Sequence, residues 1–315
     1  MIASDFEFKL SDGTRLAATH FKPSNPKSTI VFVHGLSASR DTPQYKHFLA
    51  QLAEKGHEVI AFDQPGHGSA EEPFSPQRSV KALNEVLDQL SKGTSAVGLR
   101  KQVFLVGHSL GGAVIASHLA QARKTGPRVV GVLVFAPPWR LKELAHVRAA
   151  QAVARASAML PGSHVWNLLA GIGVTALHPR MTTLRERVDA VASVLKQRGK
   201  TLVVDKMKHA SLQTLLKSIY EIPDTAAMLK EAARASPLPF TLVVLGTRDR
   251  IVGTADAKRR KAFAAELKAA GAQVIEKPFP HVFKMDENGK KQMNALAELA
   301  DEKITEIISA SPAES

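Results

Sequence analysis

The sequence predicts an α/β fold with a mostly parallel central sheet, helices on both faces and an inserted helical cap. Two observations carry that prediction. Short apolar runs alternate with stretches of helical spacing through residues 1–136 and again through 239–315, the pattern of repeated strand–helix–strand units. Between them, residues 137–238 are rich in Ala, Leu, Arg and Lys and offer one ambiguous strand, at 201–204. Pro137-Pro138 and Pro237-Leu238-Pro239 bound this stretch, and proline resists helix continuation. The chain thus divides into a first core part (1–136), an insert (137–238) and a second core part (239–315).

Taken in order, residues 6–10 and 16–21 flank Asp12-Gly13, a favoured two-residue turn, and read as a hairpin. Residues 29–33 read as a buried strand, 45–55 as a helix, 57–62 as a strand and 77–92 as a helix. The strand 103–106, the helix 113–123 and the strand 129–135 follow. Beyond the insert come a strand at 240–245, a helix at 255–270, a strand at 273–276 and a helix at 290–308, with 310–315 as a loose tail. Near-continuous apolar strands of this kind are covered on both faces.

Composition narrows the function classes. Hydrophobic residues make up 44% and charged residues 23%, the balance of a globular chain with a sizeable core rather than a disordered one. No apolar run reaches the roughly 18 residues of a membrane span, and the N-terminus lacks a basic-then-apolar leader, which points to the cytoplasm. With no cysteine, disulfides, a thiol nucleophile and cysteine metal sites are excluded. Nor does any His-Glu-x-x-His run occur, so no metal is expected.

The formal net charge of +13 favours anionic surfaces, but two Trp, two Tyr and no helix-turn-helix pattern argue against nucleic acid. The insert carries 15 Lys and Arg between Pro138 and Ser236 against 7 Asp and Glu. Such a face would suit peripheral contact with anionic membrane, although solvated helix faces are the plainer account. Met159, Leu160, Trp166, Leu168, Leu169, Ile172 and Val174 would line an acyl tunnel or simply fill the space between insert helices. Gly162, Gly171 and Gly173 offer hinge points.

The chemistry centres on Ser109. It lies in Gly107-His108-Ser109-Leu110-Gly111, after the apolar run 103–106 and before a helical segment. A strand that turns sharply into a helix pushes a hydroxyl into the open, and small flanking residues are needed because side chains there would strike the neighbouring strand or helix. Free N–H groups of the first helical turn then face the negative charge of an acyl-transfer intermediate.

A serine hydroxyl needs a base, and the base needs an orienting group. Of the twelve histidines only His281 lies beyond the insert, directly after the strand 273–276, so it is the base candidate. Asp249 follows the strand 240–245 and is the acid candidate; Asp256 and Asp224 are poorer because neither sits at a strand end. The flanking Arg248 and Arg250 supply the bland alternative of a surface ion pair. The backbone N–H groups of Leu36 and Leu110 are the candidate oxyanion donors, while His34, His67 and His108 read as architectural.

Together these residues resemble the α/β-hydrolase superfamily across most of the chain outside the insert. Phe32-Val33-His34-Gly35, Phe62-Asp63-Gln64-Pro65-Gly66-His67-Gly68, Gly107-His108-Ser109-Leu110-Gly111-Gly112, Gly246-Thr247-Arg248-Asp249 and His281 fall in that superfamily's order. The sequence is most similar to the branch of monoacylglycerol lipases, lysophospholipases and carboxylesterases, in which inserted helices form a lid. Serine at 109 departs from the dehalogenase and epoxide hydrolase branches, which use aspartate there. His281 departs from its relatives in following Phe279-Pro280 rather than glycine or small polar residues.

The resemblance implies an α/β-hydrolase fold and a cofactor-free serine hydrolase acting on a small-molecule acyl ester. A thioesterase or amidase would use the same residues, and a binding protein on an idle scaffold is the answer from a different class.

Overall fold

The apolar runs of the sequence become the centre of an eight-stranded sheet. The computed structural model describes residues 2–70, 72–144, 148, 202–204, 207–209 and 219–310. Its strands are β1 (Ile2–Lys9), β2 (Arg15–Lys22), β3 (Ser28–Val33), β4 (His57–Phe62), β5 (Gln102–His108), β6 (Arg128–Phe135), β7 (Leu202–Val204), β8 (Met207–His209), β9 (Phe240–Gly246) and β10 (Gln273–Lys277). The helices are α1 (Pro43–Glu54), α2 (Pro76–Lys92), α3 (Leu110–Ala120), α4 (Thr225–Ala235), α5 (Ala257–Ala269) and α6 (Glu287–Ala310). The main sheet runs β1-β2-β4-β3-β5-β6-β9-β10, with β2 antiparallel to both neighbours and the strands from β4 to β10 parallel. This is the α/β-hydrolase fold.

Period-two alternation sends successive side chains of each central strand to opposite faces. On one face Ile30, Phe32, Val59, Ala61, Phe104 and Val106 pack against Phe48, Leu49 and Leu52 of α1 and Leu296, Ala300 and Ile304 of α6. On the other, Val31, Val33, Ile60, Phe62, Val103 and Leu105 pack against Leu83, Val86, Leu87 and Leu90 of α2 and Ala113, Val114 and Ile115 of α3. Helix boundaries follow local chemistry. Ser75 caps α2 by accepting the Arg78 N–H at 3.1 Å, Pro76 occupies the first turn, and Gly93 ends the helix with φ 67°. Parallel strands point their C-terminal ends the same way, so the loops after β3, β5, β9 and β10 open on one edge of the sheet.

Three local details differ from the sequence reading. The first hairpin does not turn on two residues: Leu10 and Thr14 are still bonded, Leu10 N–H to Thr14 O at 2.8 Å, and Gly13 takes φ 88° to close the longer loop. The ambiguous segment at 201–204 pairs as β7 with an unforeseen β8, through Leu202↔His209 and Val204↔Met207. Helix α4 lies within the stretch 137–238 yet packs on the core, where Ala226 and Leu229 meet Ala116 of α3, Val243 and Leu245 of β9 and Phe263 of α5. The proposed tunnel residues from Met159 to Val174, the hinge glycines Gly162, Gly171 and Gly173, most of the basic face and the tail beyond residue 310 lie outside the described residues. Among the described residues no helix is long and apolar enough to cross a membrane.

One buried charge braces the sheet away from its C-terminal edge. Glu58 on β4, 1% exposed, accepts hydrogen bonds from Arg100 Nε at 2.6 Å and Nη2 at 2.5 Å, from Thr29 Oγ1 at 2.7 Å, and pairs with His20 Nε2 at 2.7 Å. Burial alone would push its carboxyl pKa up; the bonds from Arg100, His20 and Thr29 win and hold it at about 2, below the ordinary 4.5. The folded-state value is depressed, so its contribution to stability is complete above about pH 4.5 and is lost as the pH falls through about 2. Glu58→Gln, which strands the half-buried guanidinium, is expected to cost about 3 kcal/mol at pH 7. In urea titrations the gap from the parent protein should close as the pH is lowered from 5 to 2.

Candidate active site

The loop after β5 carries the strain. Ser109 has φ 53° and ψ −118°, outside the conformations most residues adopt, and immediately starts α3. Its own N–H donates to Phe135 O at 2.9 Å, which ties the turn to the end of β6. The turn is tight enough to forbid side chains around it. A Cβ on Gly111 would lie 2.0 Å from the Val33 carbonyl oxygen, and one on Gly107 would lie 2.7 Å from Ile115 Cδ1 and 2.9 Å from the Gly111 carbonyl carbon. Helix α3 can therefore press its first turn directly against β3, with the serine hydroxyl at the tip. Because α3 begins at Leu110, the Leu110 and Gly111 N–H groups have no carbonyl one turn back inside the helix, while the Gly112 N–H donates to Ser109 O at 2.9 Å.

Three side chains that are distant in sequence meet there. The Ser109 hydroxyl lies 2.9 Å from His281 Nε2, and His281 Nδ1 lies 2.7 Å from Asp249 Oδ2. A carboxylate only accepts, so Nδ1 carries the ring proton and Nε2 is left to receive a proton from the serine. Asp249 is fully buried, and its other oxygen accepts the Ile251 N–H at 2.9 Å and the Val252 N–H at 3.1 Å. The loop after β9 thus turns around its own carboxylate, which pairs with His281 rather than with Arg248 or Arg250. His281 is 8% exposed and sits in the loop after β10, where Phe279 O accepts the Arg248 N–H at 3.2 Å.

The other candidates take supporting places. His34 is fully buried; its Nδ1–H donates to Gly35 O at 2.8 Å and its Nε2 accepts the Gln64 N–H at 2.9 Å, so its ring joins the loops after β3 and β4. Leu36 follows in the same loop, beside Ser37 at φ 58°. His67 Nδ1 lies 3.1 Å from Pro65 O and its ring meets Phe74 edge-on. Sequence reasoning passed over Asp63, whose Oδ1 accepts the Arg40 N–H at 2.8 Å and whose Oδ2 accepts the Ser69 N–H at 3.3 Å. It also passed over Tyr45, whose hydroxyl lies 2.7 Å from His108 Nδ1. The Asp63-Gln64-Pro65-Gly66-His67-Gly68 run was a visible signal for the first; none marked Tyr45. Among the described residues no group of three or more His, Asp or Glu side chains is placed to hold a metal ion.

A second Ser–His–Asp line shows what the elbow adds. Ser28 Oγ lies 2.8 Å from His57 Nδ1, and His57 Nε2 lies 2.9 Å from Asp301 Oδ1. Here Ser28 opens β3 in ordinary strand conformation, no helix N-terminus stands behind it, and the imidazole is turned the other way round. Burial pushes the His57 pKa below its usual 6.5, although Asp301 opposes the shift. This line fastens α6 to the base of the sheet, and only the Ser109 line couples the same three residue types to a strained turn.

That packing has a direct test. Gly111→Ala places a methyl against the backbone of β3, where nothing flexible can yield, and is expected to destabilise the fold by about 3 kcal/mol. Thermal denaturation of the purified variant should show a melting temperature lowered by roughly 4–8 °C or more.

Comparison with known proteins places the chain in a family. The family model described as serine aminopeptidase, S33, of the Hydrolase_4 group, matches residues 24–278. Phospholipase YtpA of Bacillus subtilis is 29% identical over 118 residues, 37% of this chain and 43% of that protein. The chain therefore spans less than half the length of that relative. Among solved structures, the Pyrococcus furiosus esterase PF2001 superimposes with a TM-score of 0.61 at 14% identity, covering 98% of this chain and 90% of the other. The esterase EaEST from Exiguobacterium antarcticum gives 0.61 at 15% identity, covering 95% and 100%. At such identities these structures speak for the fold alone. With the family model matching most of its length, the chain belongs to the serine aminopeptidase S33 (Hydrolase_4) family of the α/β-hydrolase superfamily.

Proposed function

We propose that this chain is a serine hydrolase that cleaves carboxylic esters of small acyl-bearing substrates through an acyl-enzyme intermediate. The observation that supports it is the unbroken line of hydrogen bonds from Ser109 through His281 to Asp249, anchored at a strained strand-to-helix turn. Ser109 Oγ attacks the ester carbonyl while its proton passes to His281 Nε2. The imidazolium so formed is stabilised by Asp249, which also keeps the ring from turning. The tetrahedral oxyanion is received by the backbone N–H groups of Leu36 and Leu110. His281 then hands its proton to the leaving alcohol, the acyl group stays on Ser109, and a water activated by the same imidazole releases the acid. None of these steps calls on a metal or a cofactor.

The relatives called phospholipase and esterase favour an ester as the bond broken. One observation favours a second reading, hydrolysis of an amide: the family's description names an aminopeptidase. The same residues would serve an amide or a thioester, with only the leaving group changed.

The test begins with a fluorophosphonate probe on the purified protein. Wild type should be labelled at one serine and Ser109→Ala should not; an unlabelled wild type would point instead to a binding protein on an idle scaffold. A panel of p-nitrophenyl esters, acyl-glycerols, acyl-thioesters and amino-acid amides then ranks the leaving groups by kcat/KM, and esters are expected to lead. Ser109→Ala and His281→Ala should each lower kcat by about 10⁶-fold. Asp249→Asn should lower it by about 10⁴-fold, because the wrong imidazole tautomer then faces the serine. An unchanged rate in Asp249→Asn would remove Asp249 from its role.

A further inference from the structure

Behind the Ser109–His281 contact, a second set of hydrogen bonds joins elements from both halves of the chain. The Tyr45 hydroxyl, in the first turn of α1, accepts the Gly35 N–H at 3.1 Å and lies 2.7 Å from His108 Nδ1. His108, at the end of β5, lies 2.9 Å through Nε2 from the backbone carbonyl oxygen of His281. Next to Tyr45, Gln44 Nε2 donates to Phe283 O at 3.1 Å, two residues beyond His281. The crowding is close: a Cβ on Gly35 would sit 3.0 Å from both His108 Nδ1 and the Tyr45 hydroxyl, and 3.3 Å from Ser109 Cβ. The His108 and His281 rings are 5.1 Å apart, centroid to centroid.

The direction of each bond follows from what each group can give. A carbonyl oxygen only accepts, so His108 Nε2 carries a hydrogen. In a neutral imidazole that leaves Nδ1 as the acceptor, and the Tyr45 O–H donates to it while a phenol lone pair takes the Gly35 N–H. Every proton is used once and the ring is uncharged. Burial, reinforced by neighbouring His281, holds the His108 pKa at about 3, in keeping with this arrangement. Neutrality matters because His281 becomes cationic when it accepts the serine proton, and a second positive ring 5.1 Å away would oppose that charge.

We propose that Tyr45 and His108 are positioning residues for the base: Tyr45 fixes the tautomer of His108, and His108 holds His281 by its backbone carbonyl. The loop carrying His281 belongs to no helix or strand, so its main chain needs such a hold. The same phenol grips Gly35, the residue before Leu36, and so sets the base and the oxyanion segment relative to one another. This proposal rests on the roles given above to Ser109, His281 and Leu36. A shift of about 1 Å in a reacting group can cost roughly 100-fold in rate, whereas substrate binding depends little on it. The signature is therefore in kcat.

Kinetics of the full chain on a p-nitrophenyl ester test this. Tyr45→Phe keeps the ring packed on Phe32, 5.0 Å away, and removes only the hydroxyl. His108→Leu removes the hold on the carbonyl, and His108→Gln restores an amide N–H in its place. Tyr45→Phe and His108→Leu are expected to lower kcat by about 10–100-fold with KM within about twofold, and His108→Gln to recover part of the loss. Nitrogen-15 NMR of the imidazoles should report the Nε2–H tautomer for His108 in the parent and a mixture in Tyr45→Phe. The proposal is overturned if folded Tyr45→Phe keeps kcat within twofold, if KM rises as far as kcat falls, or if His108 in the parent is the Nδ1–H tautomer. Ser109→Ala runs alongside. If it stays active, the reading of the site fails and this proposal with it; if it is inert while Tyr45→Phe turns over normally, the positioning role alone fails.

Discussion

A serine held at φ 53° would relax into an ordinary conformation in a free chain, since such a backbone costs about 1–3 kcal/mol. What holds it is contact without side chains: α3 lies so close to β3 and to the end of β5 that Gly111 and Gly107 have no space for a Cβ. The parallel sheet supplies the counter-pressure, with β5 between β3 and β6 and both faces filled by apolar side chains. Burial of the sheet and exposure of one hydroxyl are thus one arrangement seen from two sides. Were the strands less tightly covered, the turn would open and the serine would fall back toward the sheet.

The same parallel order gathers the partners. Strands that run one way end on one edge, so residues 32, 140 and 172 positions apart in sequence along the lines joining Asp249, His281 and Ser109 come together from loops after β9, β10 and β5. Each loop is bonded within itself or to its neighbour before any substrate arrives. Asp249 closes its loop through the Ile251 and Val252 N–H groups, and the His281 loop is gripped through the carbonyls of residues 279, 281 and 283. The Ser28–His57–Asp301 line, with similar distances but no elbow, shows that hydrogen-bonded order among these three residue types is common structural material. Strain and adjacency to a helix N-terminus distinguish the other.

Much of this is legible in the residues alone. The apolar runs marked the central strands because residues buried on both faces leave no period to misread, and Ser109 stood out because its glycines were spaced for a turn. Details that depend on two segments meeting were not legible. The first hairpin closes on three residues rather than two because the register that pairs Lys9 with Arg15 and bonds Leu10 to Thr14 leaves Ser11, Asp12 and Gly13 together in the loop. Strand β8 had no apolar run of its own, and it forms because β7 folds back upon it. Helix α4 read as part of the insert because its composition is like the insert's, while its burial against α3 and α5 is a matter of where the chain returns.

The strand–helix order, the turn at Ser109 and the short set of residues able to supply a base and an acid are written in the residues themselves, since these follow from local periodicity, glycine spacing and residue chemistry. It takes the folded chain to place Tyr45 behind His108, to tie two loops together through Asp63 and to make Glu58 a buried anion rather than a surface one. Those contacts join segments whose separation along the chain carries no trace in either neighbourhood. A hydrogen bond between residues far apart is specified by the packing of the whole sheet, and no local pattern records it.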